Sequence, residues 1–394
     1  MATKYQAIPI RQEDADINAK ATPAKPEDLG YFGVFQGISR DAKLLLLSKS
    51  VRMHSFGYLA VLLDIYLQEL GFSLVNIGLM FTWTLLGDVL VSILMTSHAD
   101  RWGRRSTLIA SSALAIVTSI IFSTSSNFYI LLITAVIGVI SPSGSEIGPF
   151  MAIEISSLSQ VTPDAGRTML MAWYNLFSCF ASASGALCCG FALEVLTKQY
   201  GYTQLDSCRT MMLVYSLWQV LVLVLFWRLS DCIEPPPTAS TVYQAAPGFI
   251  NNFLGLHKSR SVVLKLSVLF MLDSFGGSFV LQSIISGWFY DVYRTPGSRL
   301  GTLVFACNLV AGISALFAAK LADKIGLILT MFVTHLPSNI LLILVPLMPS
   351  EHLAILVLIC RYSISQVGNH VLLLSFIMIV ATAIFVIAIY NMLY

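Results

Sequence analysis

Residues 96–108 read TSHADRWGRRSTL, one acid and three arginines set between two long apolar runs. Outside this stretch the chain has few charges: of 394 residues 56% are hydrophobic and 11% charged, against roughly 25% charged in an ordinary soluble domain. Most of the chain cannot face water, and an all-α polytopic membrane protein is expected. A net charge of +2 makes no electrostatic case for nucleic acid as a partner. The seven cysteines lie mostly inside apolar runs and show no metal or redox spacing.

A spanning helix needs roughly 20 mostly apolar residues, because about 30 Å of hydrocarbon offers the backbone no other hydrogen-bond partner. The pattern gives spans over 52–70, 77–97, 106–124, 128–158, 168–193 and 210–229, then 263–290, 300–320, 326–348 and 352–366, with a further apolar run over 369–393. The division expected is a polar cytoplasmic N-terminus over 1–43, a six-helix bundle over 44–229, a cytoplasmic linker over 230–262 and an incomplete second bundle over 263–394. The linker carries Pro235, Pro236 and Pro237, followed by a Ser, Thr, Gly and Asn mixture that breaks any helix. The fourth span is overlong and is expected to protrude into the cytosol.

Cytoplasmic loops hold Lys and Arg in excess. With the N-terminus inside, eighteen of the 23 basic residues fall on the cytoplasmic side and four on the other, while Arg361 lies within a span. An inside N-terminus follows.

Two internal matches point to a duplicated unit. Ser55, Phe56 and Gly57 in the first span recur as Ser274, Phe275 and Gly276 in the seventh. Gly78 to Asp100 and Gly301 to Asp323 have the same separation, and each copy ends in Ala-Asp, a basic residue, one apolar residue and Gly. ADRWGRR and ADKIG are thus two copies of one loop, and both resemble signature motif A of the major facilitator superfamily. Asp100, Arg101, Gly103, Arg104 and Arg105 match the family form, as do Asp323, Lys324 and Gly326 in the second copy; Thr96 and His98 stand where the family has Gly and Leu. Gly103 permits a tight turn, while Arg104 can reach back to Asp100 or to the end of a neighbouring helix. The resemblance covers residues 44–366 and implies two pseudo-symmetric helical bundles. The stretches SPSGSEIGPFMAIE (141–154) and AWYN (172–175) look most like the fungal general-substrate or efflux-type branch.

In that fold helices one, four, seven and ten line the substrate cavity, and Asp64, Glu146, Asp273 and Arg361 fall one on each. A charge at a helix centre costs roughly 2.5 to 3.5 kcal/mol, so such groups face protein or a water-filled cavity. Counting from the span ends puts Asp64, Asp273 and Arg361 roughly 14 to 18 Å deep, near the midplane. Glu146 sits beside glycines and prolines, where a distorted helix frees carbonyls for a cation or proton; a structural ion pair is the other reading. Asp88 is mid-span on the second helix, where support and function are both open. Glu154 is expected to pair with Arg104 or Arg167. Gln282, Trp288, Tyr290, Asn308 and Tyr174 are candidate substrate contacts or packing residues.

No nucleophile and base, nor a metal set, is legible among the six histidines, so the chain is not expected to be an enzyme. The resemblance implies a secondary transporter of a small organic solute, proton-coupled, using the proton gradient in place of a cofactor, with export of a metabolite or toxin among the expectations. It would sit as a monomer in the lipid bilayer of the plasma or vacuolar membrane. The alternative is a non-transporting sensor or truncated regulatory form on the same scaffold. After ICRYSISQ (359–366) the sequence leaves the family pattern. Ten or eleven transmembrane helices are expected instead of twelve, with a turn near Gly368 and Asn369, and a truncated or alternatively spliced form with weak or no transport of its own.

Overall fold

The computed structural model describes residues 35, 38–138, 140, 149–235, 281–325 and 327–365. Among them the chain is helical: α1 (Arg40–Glu69), α2 (Leu74–Trp102), α3 (Arg104–Thr124), α4 (Phe128–Ile137), α5 (Pro149–Gln160), α6 (Asp164–Lys198), α7 (Gln204–Trp227), α8 (Gln282–Tyr293), α9 (Gly297–Ile325), α10 (Leu327–Leu344) and α11 (Glu351–Ser365). Contacts of Arg104 with Gln160 and Ile233, and of Asp41 with Ser230, put the N-terminal end of α1, the α2–α3 joint, the end of α5 and the C-terminal end of α7 on one face, called here the N-face. The end of α1, the start of α2 and the α8–α9 turn share the opposite face.

Local sequence sets the starts. Ser39, Ser73, Asn127 and Thr203 each accept a backbone N–H of the following turn, which satisfies donors that the helix itself leaves open. Among the described residues, five helices are long and apolar enough to cross a membrane: Leu74–Trp102, Arg104–Thr124, Met169–Lys198, Gln204–Trp227 and Gly297–Ser314. Their outward residues, such as Leu79, Trp83 and Leu90 of α2, are exposed as lipid-facing side chains would be.

Helix α1 differs from the expected 52–70 span in both length and character. It begins at Arg40, and every residue from Ser55 to Leu67 is buried. Lys49, Arg52 and Asp64 are each buried on the protein-facing side of α1, so none of them meets lipid. It packs along α6 and α7 of the first half and meets α8 of the second. Between the halves, α6 lies along α9. There Asn308 donates to Ser182 at 3.3 Å, and a Cβ on Gly301 would come within 3.0 Å of the Gly190 Cα.

The buried apolar residues form two clusters. The larger draws on both halves, with Tyr66, Phe122 and Met211 beside Ile285, Phe289, Leu300 and Leu342. The second, from Ala42 to Ile233, lies towards the N-face and belongs to the first half alone among the described residues.

The repeat has a structural counterpart. Helices α2 and α9 are each 29 residues long, and Gly78 and Gly301 are the fifth residue of their helices, as Asp100 and Asp323 are the twenty-seventh. The overlong fourth span is described as two pieces, α4 and α5. Glu146, Asp273, Gly326, residues 236–262 of the linker and the expected turn near Gly368 and Asn369 lie outside the described residues.

Candidate functional site between and beneath the two halves

Asp64 marks the seam between the halves. Its side chain accepts a hydrogen bond from Gln68 Nε2 at 2.7 Å and is 4% exposed. Its carboxylate lies directly on the backbone of Gly287 in α8, where a Cβ would overlap it. On the N-face side of this contact two α8 hydroxyls bond α1 carbonyls: Ser283 Oγ to Leu59 at 3.1 Å and Ser286 Oγ to Ala60 at 2.9 Å. Tyr290 donates to Glu69 Oε1 at 2.7 Å, so this candidate substrate contact is engaged in the closure. Asp64 stands five residues before the C-terminal end of α1, about 8 Å along the axis, while the other end of the helix lies further off than the expected start at 52, at Arg40.

A second polar row crosses the seam nearer its middle. Gln282 Nε2 donates to Asn308 Oδ1 at 2.6 Å, and Asn308 continues to Ser182. Arg361 on α11 lies over the Tyr362 ring with its Cζ 4.8 Å from the centroid. Trp288, by contrast, is buried against Phe289 and Tyr293 as packing.

Beneath the seam, towards the N-face, Arg52 of α1 grips Glu154 of α5. Nη1 meets Oε1 at 2.7 Å and Nη2 meets Oε2 at 2.6 Å, with both side chains at 0% exposure. Tyr174 of α6 donates to Glu154 Oε2 at 2.6 Å, and Ser48 to Oε1 at 3.2 Å. The Lys49 ammonium stands 4.7 Å from the Tyr174 ring centroid, and the Arg52 guanidinium 4.5 Å from that of Phe150. The expected pairing of Glu154 with Arg104 or Arg167 is therefore replaced. Glu154 turns into the bundle, where a carboxylate needs a dedicated cation, and Arg52 lies within reach. Arg52 had counted only towards the topology charge of the N-terminal segment. An acid inside the overlong span, which requires a basic partner at matching depth, was the signal for it.

At the N-face the motif copy 100–105 forms the joint between α2 and α3. Gly103 has φ +92, a conformation that side chains rarely adopt. Arg104 Nε bonds Asp100 Oδ1 at 3.0 Å, while its Nη1 reaches Gln160 Oε1 at 2.7 Å and the Ile233 carbonyl at 3.1 Å. Glu234 caps α3: its two oxygens accept the Arg104 and Arg105 N–H groups at 2.7 and 3.0 Å. Arg105 reaches Trp227 O at 2.5 Å and Asp231 at 3.7 Å. Asp41 in turn holds Ser230 through its backbone N–H at 3.0 Å and its hydroxyl. Arg101 is exposed. Among the described residues these contacts tie the motif to the segment leaving α7, within the first half. Asp323 and Lys324 lie in the last turn of α9.

Paired halves of long apolar helices, with ionisable groups buried at and below their seam, define a polytopic helical membrane protein. The comparisons with known proteins make this specific. The family model described as Major Facilitator Superfamily matches residues 45–394, and the chain belongs to that superfamily. The match runs past residue 366, where the motif-level resemblance stops. An uncharacterized membrane protein of Saccharomyces cerevisiae, YJR124C, is 33% identical over 342 residues, spanning 80% of this chain and 75% of the yeast protein. Among solved structures, a D-xylose–proton symporter is similar with a TM-score of 0.63 at 15% identity, over 89% of this chain and 88% of that one. A bacterial homolog of the human lysosomal transporter Spinster, in an inward-facing conformation, gives 0.61 at 16%, over 90% and 81%. A nucleoside transporter gives 0.59 at 11%, over 90% and 89%.

Proposed function

We propose that the chain is a secondary transporter that moves a small organic solute by alternating access, with its N-terminus in the cytoplasm and the proton gradient as its driving force. The observation that carries this reading is Asp64 on Gly287. The carboxylate is dry only while α1 and α8 are closed on the face opposite the N-terminus. Opening that face would hydrate it and favour its ionised form, and protonation would favour closure. A proton site that titrates with the opening of one gate is what coupling requires. Glu146 and Asp273 are further candidate members of the same pathway, with Arg361 of α11 as a candidate cation in the second half.

Family membership and the transporter folds support carriage over catalysis. The resemblance of residues 141–154 and 172–175 to the fungal general-substrate or efflux-type branch favours export of a metabolite or toxin across the plasma or vacuolar membrane. The test is flux in proteoliposomes holding the purified chain. The panel of labelled solutes is headed by D-xylose and nucleosides, the cargoes named for two proteins of similar fold, followed by organic acids and cationic toxins. Saturable flux that an uncoupler abolishes, and that Asp64→Asn makes indifferent to the pH gradient, is expected. Saturable flux that ignores the gradient in the unaltered chain overturns the coupling, and absence of flux across the panel favours a sensor on the same scaffold.

A further inference from the structure

Among the described residues Arg361 is a cation without an acid. It stands at the eleventh residue of α11, half-buried, with its guanidinium over the Tyr362 ring. Its Nε–H is buried and has no acceptor, and no described carboxylate lies within ion-pair distance of it. The described acids of the second half are placed elsewhere. Asp291 is in the last turn of α8, Asp323 in the last turn of α9, and Glu351 at the first residue of α11. Register brings Arg361 to the polar row of the seam. The Glu351 carboxylate bonds Thr295 at 2.9 Å and Arg299 at 3.3 Å, so α9 and α11 start at one face, and they pack along each other. Asn308 is the twelfth residue of α9 and Arg361 the eleventh of α11, which puts both about 15 Å from that face. Asn308 accepts from Gln282 and donates to Ser182. Tyr362 lies beside both Gln282 and Arg361, and the buried Cys307, next to Asn308, is within electrostatic range of Arg361. Helices α8, α9 and α11 thus bring a guanidinium, a phenol and two amides to one depth beside α6 of the other half.

Gln282, Asn308 and Arg361 are each partly exposed. Asn308 meets the other half through Ser182, so the space this row borders lies between the halves. A guanidinium turned to hydrocarbon at this depth is costly, which places the exposed part of Arg361 on the same space. A cation left unpaired there attracts an anion. The guanidinium offers a fork of parallel N–H donors that matches a carboxylate, and the Tyr362 ring holds its plane. One cation balances one negative charge, and a second carboxylate would be buried without a counter-ion. The adjoining amides carry both donors and acceptors, which suit a hydroxyl or carbonyl oxygen beside the carboxylate.

We propose that Arg361, Tyr362, Gln282 and Asn308 form the solute site, and that the solute is a small organic anion with one carboxylate and a neighbouring hydroxyl or keto oxygen. The carboxylate takes two bonds from Arg361, and the amides take the second oxygen. This inference rests on the transporter reading and narrows its substrate to hydroxy or keto monocarboxylates. Asp64 lies nearer the face opposite the N-face, so solute and proton occupy different groups.

The test uses the full-length protein purified in detergent, with L-lactate, pyruvate and D-gluconate as probes at constant ionic strength. Methyl lactate and malate serve as the uncharged and the doubly charged comparison. At least one of the three acids should raise the unfolding midpoint in a saturable way, and methyl lactate should not. Arg361→Gln should lose the response. Arg361→Lys keeps the charge without the fork and should weaken binding roughly tenfold or more, the loss of one charge-assisted hydrogen bond. Should the variants fail to fold, phenylglyoxal decides on the unaltered protein, read by mass spectrometry of the peptide that holds Arg361. Arg361 should be modified, and the responding acid should protect it while methyl lactate does not. No saturable response to any of the three acids, an unreactive or unprotected Arg361, or a stronger response to malate overturns the proposal. Flux of a neutral or cationic solute that Arg361→Gln leaves intact overturns this site and keeps the transport reading. Acid binding that Arg361→Gln abolishes, in a chain without flux, keeps the site and overturns the transport reading.

Discussion

Arg52 and Glu154 meet through two parallel hydrogen bonds, 2.7 and 2.6 Å long, with neither side chain exposed. The pair ties α1 to α5, and through Tyr174 to α6, in the half of the first bundle nearer the N-face. Removing one member leaves a buried charge without its counter-ion, which typically costs about 3–5 kcal/mol. Arg52→Met should lower the unfolding midpoint and the yield of monodisperse protein sharply. The double change Arg52→Met with Glu154→Leu should recover much of the loss, because the desolvated charges go together. Tyr174→Phe removes one bond to a charged acceptor and should lose about 1.5–3 kcal/mol. Equal losses in the single and double variants would contradict the assignment.

Gly287→Ala places a methyl group where the Asp64 carboxylate lies. The α1–α8 contact cannot then close fully, and the face opposite the N-terminus should open. With Ser286→Cys as reporter, labelling by a membrane-impermeant maleimide from that face should rise several-fold in Gly287→Ala. Ser286 is buried and bonded to Ala60 in the closed form, so an unchanged labelling rate would show that the contact is not the gate.

Around the motif, Glu234 and Asp100 should behave differently. Glu234 accepts two N–H groups at the start of α3, and loss of such a cap costs about 0.5–2 kcal/mol. Glu234→Ala should lower stability and raise the maleimide reactivity of Cys232, the free and exposed cysteine in the same segment. The Asp100–Arg104 pair spans one turn and leaves Asp100 57% exposed, a geometry worth about 0.3–0.5 kcal/mol. Asp100→Asn should barely move the unfolding midpoint. Its expected effect is on state, shifting cysteine accessibility of the cavity towards the N-face. Equal destabilisation by both variants would refute the distinction.

Where α6 crosses α9, Gly190 and Gly301 let the two backbones touch. A Cβ on Gly301 would come 2.6 Å from the Ala186 carbonyl oxygen. Gly301→Val should destabilise by about 1–3 kcal/mol through overpacking, read as a lower unfolding midpoint. Gly78→Val, at the same place in the other repeat but with open space around it, should be tolerated. A reversed order would mean that the crossing is not tightly packed.

Long apolar runs, basic residues gathered on one face and two copies of one charged loop determine a duplicated helical membrane protein from the sequence alone. These signals are local or periodic: a run of twenty apolar residues has nowhere to go but the bilayer, and Gly103 at the α2–α3 joint needs only its neighbours to be understood. Asp64 and Asp88 were legible for the same reason, as acids inside apolar runs.

Partnership was decided by tertiary structure. Arg52 looks like one more topology charge in sequence, and its role depends on how deep α1 runs and on which face of α5 carries Glu154, positions 102 residues apart. Gly287 reads as an unremarkable small residue until α8 is laid on α1, and only then is it the surface on which Asp64 rests. That neither Asp88 oxygen accepts a hydrogen bond and Arg361 meets no acid among the described residues is likewise a property of the packed bundle. Helical periodicity tells which side of a helix a residue occupies, but only the packing of other helices against that side tells whether a charge there is paired, hydrated or left to bind something else.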